Sequence, residues 1–128
     1  MADPIHEFEY LSRFIVNESH YRKMDLSIKP QAFFQNKEGK TSVFRITGLS
    51  NEEIWDIACD IAQQRNKTLL GRAEIRAFDV IEQGLRVEPD PPPERHANMI
   101  GWPHEESDKA KRMSIGLKLA AACRSSFL

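Results

Sequence analysis

The chain has 128 residues, with 18 lysines and arginines, 19 aspartates and glutamates, and a formal net charge of -1. This length fits one compact domain, and the balanced charge excludes a strongly basic, sequence-independent nucleic-acid binder. With 41% hydrophobic and 29% charged residues, the composition is that of a globular domain. There is no apolar run of membrane-spanning length, and acidic residues break up the N-terminus, which excludes a secretory signal. We therefore predict a single domain over residues 1–128, soluble and cytoplasmic, with no membrane partner.

Both cysteines support a reducing compartment. Cys59 and Cys123 each lie among apolar helix formers, and neither belongs to a CxxC or Cys/His motif. We expect both thiols to be small buried hydrophobic groups.

The N-terminal third gives weak structural signals. Residues 8–16 fit either a helix, through the spacing of Phe8, Leu11 and Ile15, or a strand, through the run Arg13 to Val16. Residues 17–31 are polar and irregular, which predicts a long loop, and a long loop in a compact domain is often functional.

The middle of the chain carries the clearest local pattern. Residues 41–47 are rich in β-branched and aromatic side chains and predict a half-buried strand. Ser50 and Glu53 form a capping box, and Leu49 and Ile54 have the spacing of a hydrophobic staple. A helix is therefore predicted from about residue 51 to residue 64.

Glycine and proline residues mark the limits of the remaining predicted elements. Strands are predicted at residues 68–75, 85–88 and 97–102, with one or two helical turns at 77–83 closed by Gly84. Ser107 or Asp108 caps a final helix that runs to about Arg124. Together these elements predict an α+β fold, in which a small, mainly antiparallel sheet packs with two main helices.

Motifs for cofactors and metals are missing. The sequence has no GxGxxG, no GxxxxGK[ST] and no GxSxG, and His104-Glu105-Glu106 lacks the second histidine of a zinc helix. We therefore predict neither a cofactor nor a metal site.

His96 is the best candidate for catalysis, since it follows a proline-rich segment at the start of a strand. A histidine there can act as a general base, and Asn98 lies on the same face of the strand. We add His20 and Arg45 as distant candidates that the fold would have to bring close. The alternative is that His96 and Asn98 only bind the neighbouring loop.

An acidic ridge on the middle helix is the candidate partner-binding surface. Glu52, Asp56 and Asp60 recur at every fourth residue, so their charges repel one another, and Trp55 lies beside them. Residues 51–100 hold six basic and ten acidic residues, and residues 101–128 hold five and three. The basic terminal helix or a basic partner protein would compensate the ridge.

Basic and aromatic side chains alternate between residues 21 and 45. Together with Arg13 upstream they resemble a weak nucleic-acid-binding surface, and they comprise Arg22, Lys23, Lys29, Lys37, Lys40 and Arg45 with Tyr21, Phe33 and Phe34 interleaved.

Two segments resemble those of a family of small bacterial proteins. One is Ser42-Val43-Phe44-Arg45-Ile46-Thr47-Gly48-Leu49-Ser50, and the other runs from Pro92 to Pro103 through His96-Ala97. The pair Ala32-Phe33 adds to the similarity. The resemblance implies a bacterial origin and no particular activity.

The sequence favours a small cytoplasmic accessory protein that binds another protein through the acidic ridge and Trp55, without catalysis. An enzyme is the first alternative, either a hydrolase or a nucleic-acid-processing component, and it would use His96 and Asn98 with His20. Weak nucleic-acid binding through residues 21–45 is the second. The sequence leaves homo-oligomer formation open.

Overall fold

The protein is built on one six-stranded sheet, seen in a computed structural model that describes residues 2–128. In chain order the elements are β1 (Tyr10–Ile15), β2 (Thr41–Arg45), α1 (Asn51–Gln64), β3 (Gly71–Arg76), α2 (Ala77–Glu82), β4 (Arg86–Pro89), β5 (His96–Ile100), α3 (Lys109–Ala122) and β6 (Arg124–Phe127). The strand order is β4-β5-β2-β1-β3-β6, and every neighbouring pair is antiparallel. The predicted α+β class is confirmed.

The two long helices cover opposite faces of the sheet. Alternation along β1 sends Leu11 and Ile15 to one face and Phe14 to the other. The first face forms a core with α2 and α3, through Val80 and Leu119. On the second face Phe14 packs with Phe44 and with α1, whose buried residues are Ile54, Ala58, Ile61 and Ala62. Because α3 lies on the far face, it is not placed to compensate the acidic ridge.

Helix α1 begins as its sequence predicts. The Ser50 hydroxyl accepts a hydrogen bond from the Glu53 amide, and the Glu53 carboxylate accepts one from the Ser50 amide, both at 3.1 Å. The bonds from Ser50 lower the pKa of Glu53. Leu49 packs with the same cluster as Ile54, as a staple requires. The strand–turn–helix unit is confirmed.

The structure decides one open alternative, adds detail to the predicted loop and adds one strand that was not predicted. Residues 8–16 form a strand in the part from 10 to 15, and residues 17–31 contain short 3₁₀ turns at Glu18–His20 and from Pro30 onward, besides an isolated bridge between Tyr21 and Ile28. The last helix ends at Ala122, and the chain then adds β6, which pairs with β3. This strand was missed because its sequence, Arg-Ser-Ser-Phe, has no alternating pattern.

Burial also differs from expectation at two positions. Cys59 is exposed on the outer side of α1, and only Cys123 is partly buried, with its pKa raised to about 11 by that burial. Alternation along the strand predicted at residues 68–75 puts Ala73 and Ile75 inward and Arg72 outward, yet Arg72 is 3% exposed because α1 covers its face of the sheet. Its guanidinium stacks 4.6 Å from the ring centre of Trp55 and donates to the Asn51 side chain at 2.6 Å.

Across residues 2–128, none of the helices combines the length and the apolar character needed to cross a membrane.

Candidate functional site: a serine–histidine pair beside a cationic cavity

The pairing of β2 with β5 brings three polar side chains together. Ser42 lies opposite Asn98, and Phe44 lies opposite His96, so all four side chains project from one face. The Ser42 hydroxyl oxygen is 2.7 Å from Nε2 of His96. These two residues are 54 positions apart in sequence, and only the strand register makes them neighbours.

The connection between β4 and β5 orients the His96 ring. Within this connection the Asp90 amide donates to the His96 carbonyl, and the His96 amide donates to the Pro93 carbonyl. The Asp90 carbonyl oxygen lies 2.9 Å from Nδ1 of His96. A carbonyl oxygen only accepts, so Nδ1 carries a ring hydrogen, and in the neutral imidazole Nε2 is then the nitrogen that accepts the hydrogen of the Ser42 hydroxyl.

A carboxylate completes this arrangement. Oδ2 of Asp90 lies 3.5 Å from Nδ1 of His96 and accepts a hydrogen bond from the Asn98 side chain at 2.8 Å. Asn98 therefore holds the carboxylate beside the ring. A negative charge there stabilises the imidazolium that forms when His96 takes a proton, and this is the arrangement of a nucleophile, its base and an orienting acid.

The sheet opens beside Ser42. Pairing between β1 and β2 extends to Ser12 and Phe44, whereas β2 continues along β5 as far as Thr41. The Arg13 side chain occupies the gap. It donates from Nε to the Ala32 carbonyl at 2.8 Å and from Nη1 to the Ser42 carbonyl at 3.0 Å, in place of strand-to-strand bonds.

A cavity of about 150 Å³ lies at this opening. It is bordered by Ser42 and by the basic or titratable side chains of Arg13, His20, Arg65 and Lys67, with Phe14, Val16, Phe44, Ile61 and Ala62 as apolar walls. A shallower depression shares Arg13, His20, Ser42 and Arg65 and adds Lys40. No carboxylate of the described chain borders either space.

The cationic groups affect one another. Burial, with the nearby charge of Arg65 as a second cause, lowers the pKa of Arg13 to about 10, so the guanidinium still carries its charge at neutral pH. Burial and the charge of Arg13 lower the pKa of His20. Nδ1 of His20 is buried and has no hydrogen-bond partner within residues 2–128. The guanidinium of Arg65 reaches Ser42, with Nη2 3.3 Å from the hydroxyl oxygen.

Three of the four catalytic candidates from the sequence meet around Ser42. His96 contacts it directly, Asn98 holds Asp90, and His20 borders the same cavity. Arg45 does not contact Ser42. It forms an ion pair with Glu9 at 2.7 Å and donates a hydrogen bond to the Asp3 carbonyl. It therefore ties the N-terminal segment to β2.

The other predicted surfaces are separate from this site. Glu52, Asp56 and Asp60 are exposed along α1 and form no salt bridge with any described residue, while Trp55 is half-buried against Arg72.

Most aromatic residues of the 21–45 segment belong to the core. Phe33 is wholly buried, Phe34 packs edge-on against Trp102, and Tyr21 packs against Phe127. Phe33 is therefore not free to stack on a base, and Tyr21 and Phe34 are half-buried by their packing contacts.

Sequence reasoning missed Ser42, Asp90 and Arg65 as members of the site. Asp90 had a signal, since it lies six residues before His96 across a proline-rich connection. Ser42 and Arg65 had none, because their proximity depends on the register of β2 with β5 and on where α1 ends over the sheet.

Comparisons of the chain with protein-family models, curated proteins and solved structures find no match. The resemblance to small bacterial proteins accordingly stays a prediction. Within residues 2–128 there is also no group of three or more histidine, cysteine, aspartate or glutamate side chains that could hold a metal ion.

Proposed function

We propose that the protein is a hydrolase that cleaves an ester bond through a covalent intermediate on Ser42. The observation that carries this proposal is the 2.7 Å hydrogen bond between Ser42 and Nε2 of His96, on a ring oriented by Asp90. The tautomer derived from the Asp90 carbonyl is the one that a general base needs.

The reaction requires only the ester and water. Ser42 Oγ attacks the electrophilic centre of the ester while its proton moves to Nε2 of His96. The bond to the alcohol then breaks, and the departing oxygen takes that proton. Water attacks the Ser42 ester next, gives its proton to His96, and releases the acid as Ser42 recovers its hydrogen.

Two neighbours support the charges that develop. The Asp90 carboxylate faces the imidazolium from 3.5 Å, and Arg65 donates toward Ser42 Oγ from 3.3 Å. A guanidinium in that position favours negative charge on the nucleophile and on oxygens of the reacting group.

This proposal differs from the accessory-protein function that the sequence favours. A lone histidine is weak support for an enzyme, but His96 has a hydroxyl on one nitrogen and a carbonyl and a carboxylate at the other. The acidic ridge offers exposed charge, and no contact identifies what would bind to it. The contacts of His96 therefore favour the hydrolase.

Labelling with a fluorophosphonate tests the nucleophile. We expect the intact protein to gain one covalent adduct on Ser42, located by peptide mass spectrometry. Ser42→Ala should abolish this adduct, and His96→Gln should slow its formation at least tenfold because the base is lost. Ser126→Ala is the matched control, since Ser126 is exposed on β6, and it should label like the parent protein.

Circular dichroism and thermal melting establish that each variant is folded before labelling is compared. An adduct that forms at the same rate in folded His96→Gln would contradict the proposal. So would a protein in which Ser42 is not modified at all.

A further inference from the structure

We infer that the ester is a phosphate ester whose phosphoryl group binds in the cavity between Arg13, Arg65 and His20, and this substrate class rests on the hydrolase proposed above. Three properties of the cavity support this: its positive charge, its size and its position against Ser42.

The charge of the cavity is local and uncompensated. The chain as a whole has a formal net charge of -1, yet Arg13, Arg65 and Lys67 border this space without a carboxylate among the described lining residues. Cations held together in this way repel one another, and a bound dianion removes that repulsion. Guanidinium groups are also the side chains best shaped to bind phosphate oxygens.

Arg13 is oriented in advance for such a ligand. Its Nε and Nη1 atoms donate to the carbonyls of Ala32 and Ser42, which holds the plane of the guanidinium. Nη2 has no protein acceptor within residues 2–128. A group held in this way loses little conformational freedom when it binds a ligand.

The size of the cavity fits one phosphoryl group. Its volume of about 150 Å³ is well above the roughly 10–15 Å³ that one water needs, so a group of a few heavy atoms fits. His20 also borders the cavity, and its buried Nδ1 has no hydrogen-bond partner within residues 2–128.

Arg65 brings the anion next to the nucleophile. Its Nη2 atom is 3.3 Å from Ser42 Oγ, so an oxygen bound to Arg65 belongs to a group within reach of that hydroxyl. In the reaction a bond forms between Ser42 Oγ and phosphorus while the bond from phosphorus to the alcohol oxygen breaks. His96 transfers the serine proton to the alcohol, and water then releases inorganic phosphate from Ser42. Arg13 and Arg65 stabilise the negative charge on the oxygens of the phosphoryl group while it is transferred.

Binding of inorganic phosphate to Ser42→Ala tests the inference without any chemistry. Isothermal titration calorimetry should detect saturable binding, and adding Arg65→Gln should weaken it at least tenfold. Arg65 is chosen because it is exposed at the end of α1 and its replacement leaves the core intact. Lys118→Gln is the control, since Lys118 is exposed on α3 across the sheet, and it should leave the affinity unchanged.

Titration with acetate at the same ionic strength tests whether the cavity prefers phosphate to other anions. We expect acetate to bind at least tenfold more weakly. Equal affinity for acetate, equal phosphate affinity in the Arg65→Gln protein, or no phosphate binding would each overturn the inference.

Fluorophosphonate labelling separates this inference from the hydrolase itself. Labelling of Ser42 without phosphate binding overturns the substrate class and keeps the nucleophile. Phosphate binding without labelling overturns the hydrolase and leaves a phosphate-binding cavity. Release of p-nitrophenol from p-nitrophenyl phosphate, lost in Ser42→Ala, supports both together.

Discussion

Single side chains link parts of this protein that are far apart in sequence, and the pair of Arg45 and Glu9 is the clearest case. Arg45 donates to both carboxylate oxygens of Glu9, at 2.7 and 2.8 Å, and also to the Asp3 carbonyl. Both side chains of the pair are largely buried. Removing one partner therefore leaves a charge without its hydrogen bonds.

Glu9→Gln should lower the free energy of unfolding by about 2 kcal/mol at pH 7, the usual value of hydrogen bonds to a charged group. Urea denaturation followed by circular dichroism measures the change. Glu7→Gln is the control, because Glu7 is exposed two residues away, and it should change stability by less than about 0.5 kcal/mol.

The same pair predicts a pH dependence. Burial raises the pKa of Glu9, but hydrogen bonds from Arg45 and from the His6 amide outweigh it, so the pKa lies below the ordinary 4.5. The stabilisation is therefore present above pH 4.5 and is lost as the pH falls through the folded-state value. The parent protein should lose more stability than Glu9→Gln across that interval, and parallel pH profiles would contradict this role for the pair.

At the scale of elements, close approach between α3 and the Pro30–Phe33 turn sets a requirement for one glycine. A β-carbon on Gly116 would lie 2.6 Å from the Phe34 ring and 2.8 Å from Cβ of Pro30. Both distances are shorter than van der Waals contact. Glycine is unfavourable inside a helix, so its presence in α3 is explained by this contact.

Gly116→Ala should destabilise the protein by about 1–2 kcal/mol, because overpacking outweighs the gain in helix propensity of about 1 kcal/mol. Thermal or urea denaturation measures this change in the free energy of unfolding. Ser114→Ala, at an exposed position of the same helix, should be neutral or slightly stabilising. If Gly116→Ala stabilised the protein instead, α3 would have moved away from the Pro30–Phe33 turn without losing free energy of unfolding. That result would contradict this explanation of the glycine.

At the scale of the whole molecule, the sheet separates two hydrophobic cores. Ile15 is buried in the core that faces α2 and α3, and Ile54 is buried in the core under α1. The two clusters have no buried residue in common. Substitutions in one should therefore act independently of substitutions in the other.

Ile15→Val and Ile54→Val should each cost about 0.5–1.5 kcal/mol, and the double variant should equal their sum within about 0.5 kcal/mol. A double-mutant cycle from urea denaturation measures the coupling. A coupling energy above about 1 kcal/mol would mean that the sheet transmits packing changes between its faces.

Local chemistry made several features predictable. The strand, the Ser50–Glu53 capping box and helix α1 follow from neighbours within about four residues, and Gly84 has the positive φ of the helix cap that was predicted for it. Strand β6 and the burial of Arg72 were not predictable in the same way. Both depend on which strand and which helix lie alongside β3.

The sequence by itself determined the fold class, helix α1 with its apolar face and the candidacy of His96, because these depend on composition, short-range periodicity and side-chain chemistry. Only the tertiary structure decided that Ser42 would meet His96, that Asp90 would orient the ring, and that Arg13 would fill the gap beside Ser42. The physical reason is strand register. A shift of one residue between β2 and β5 would turn Ser42 to the opposite face and leave His96 without its hydroxyl partner.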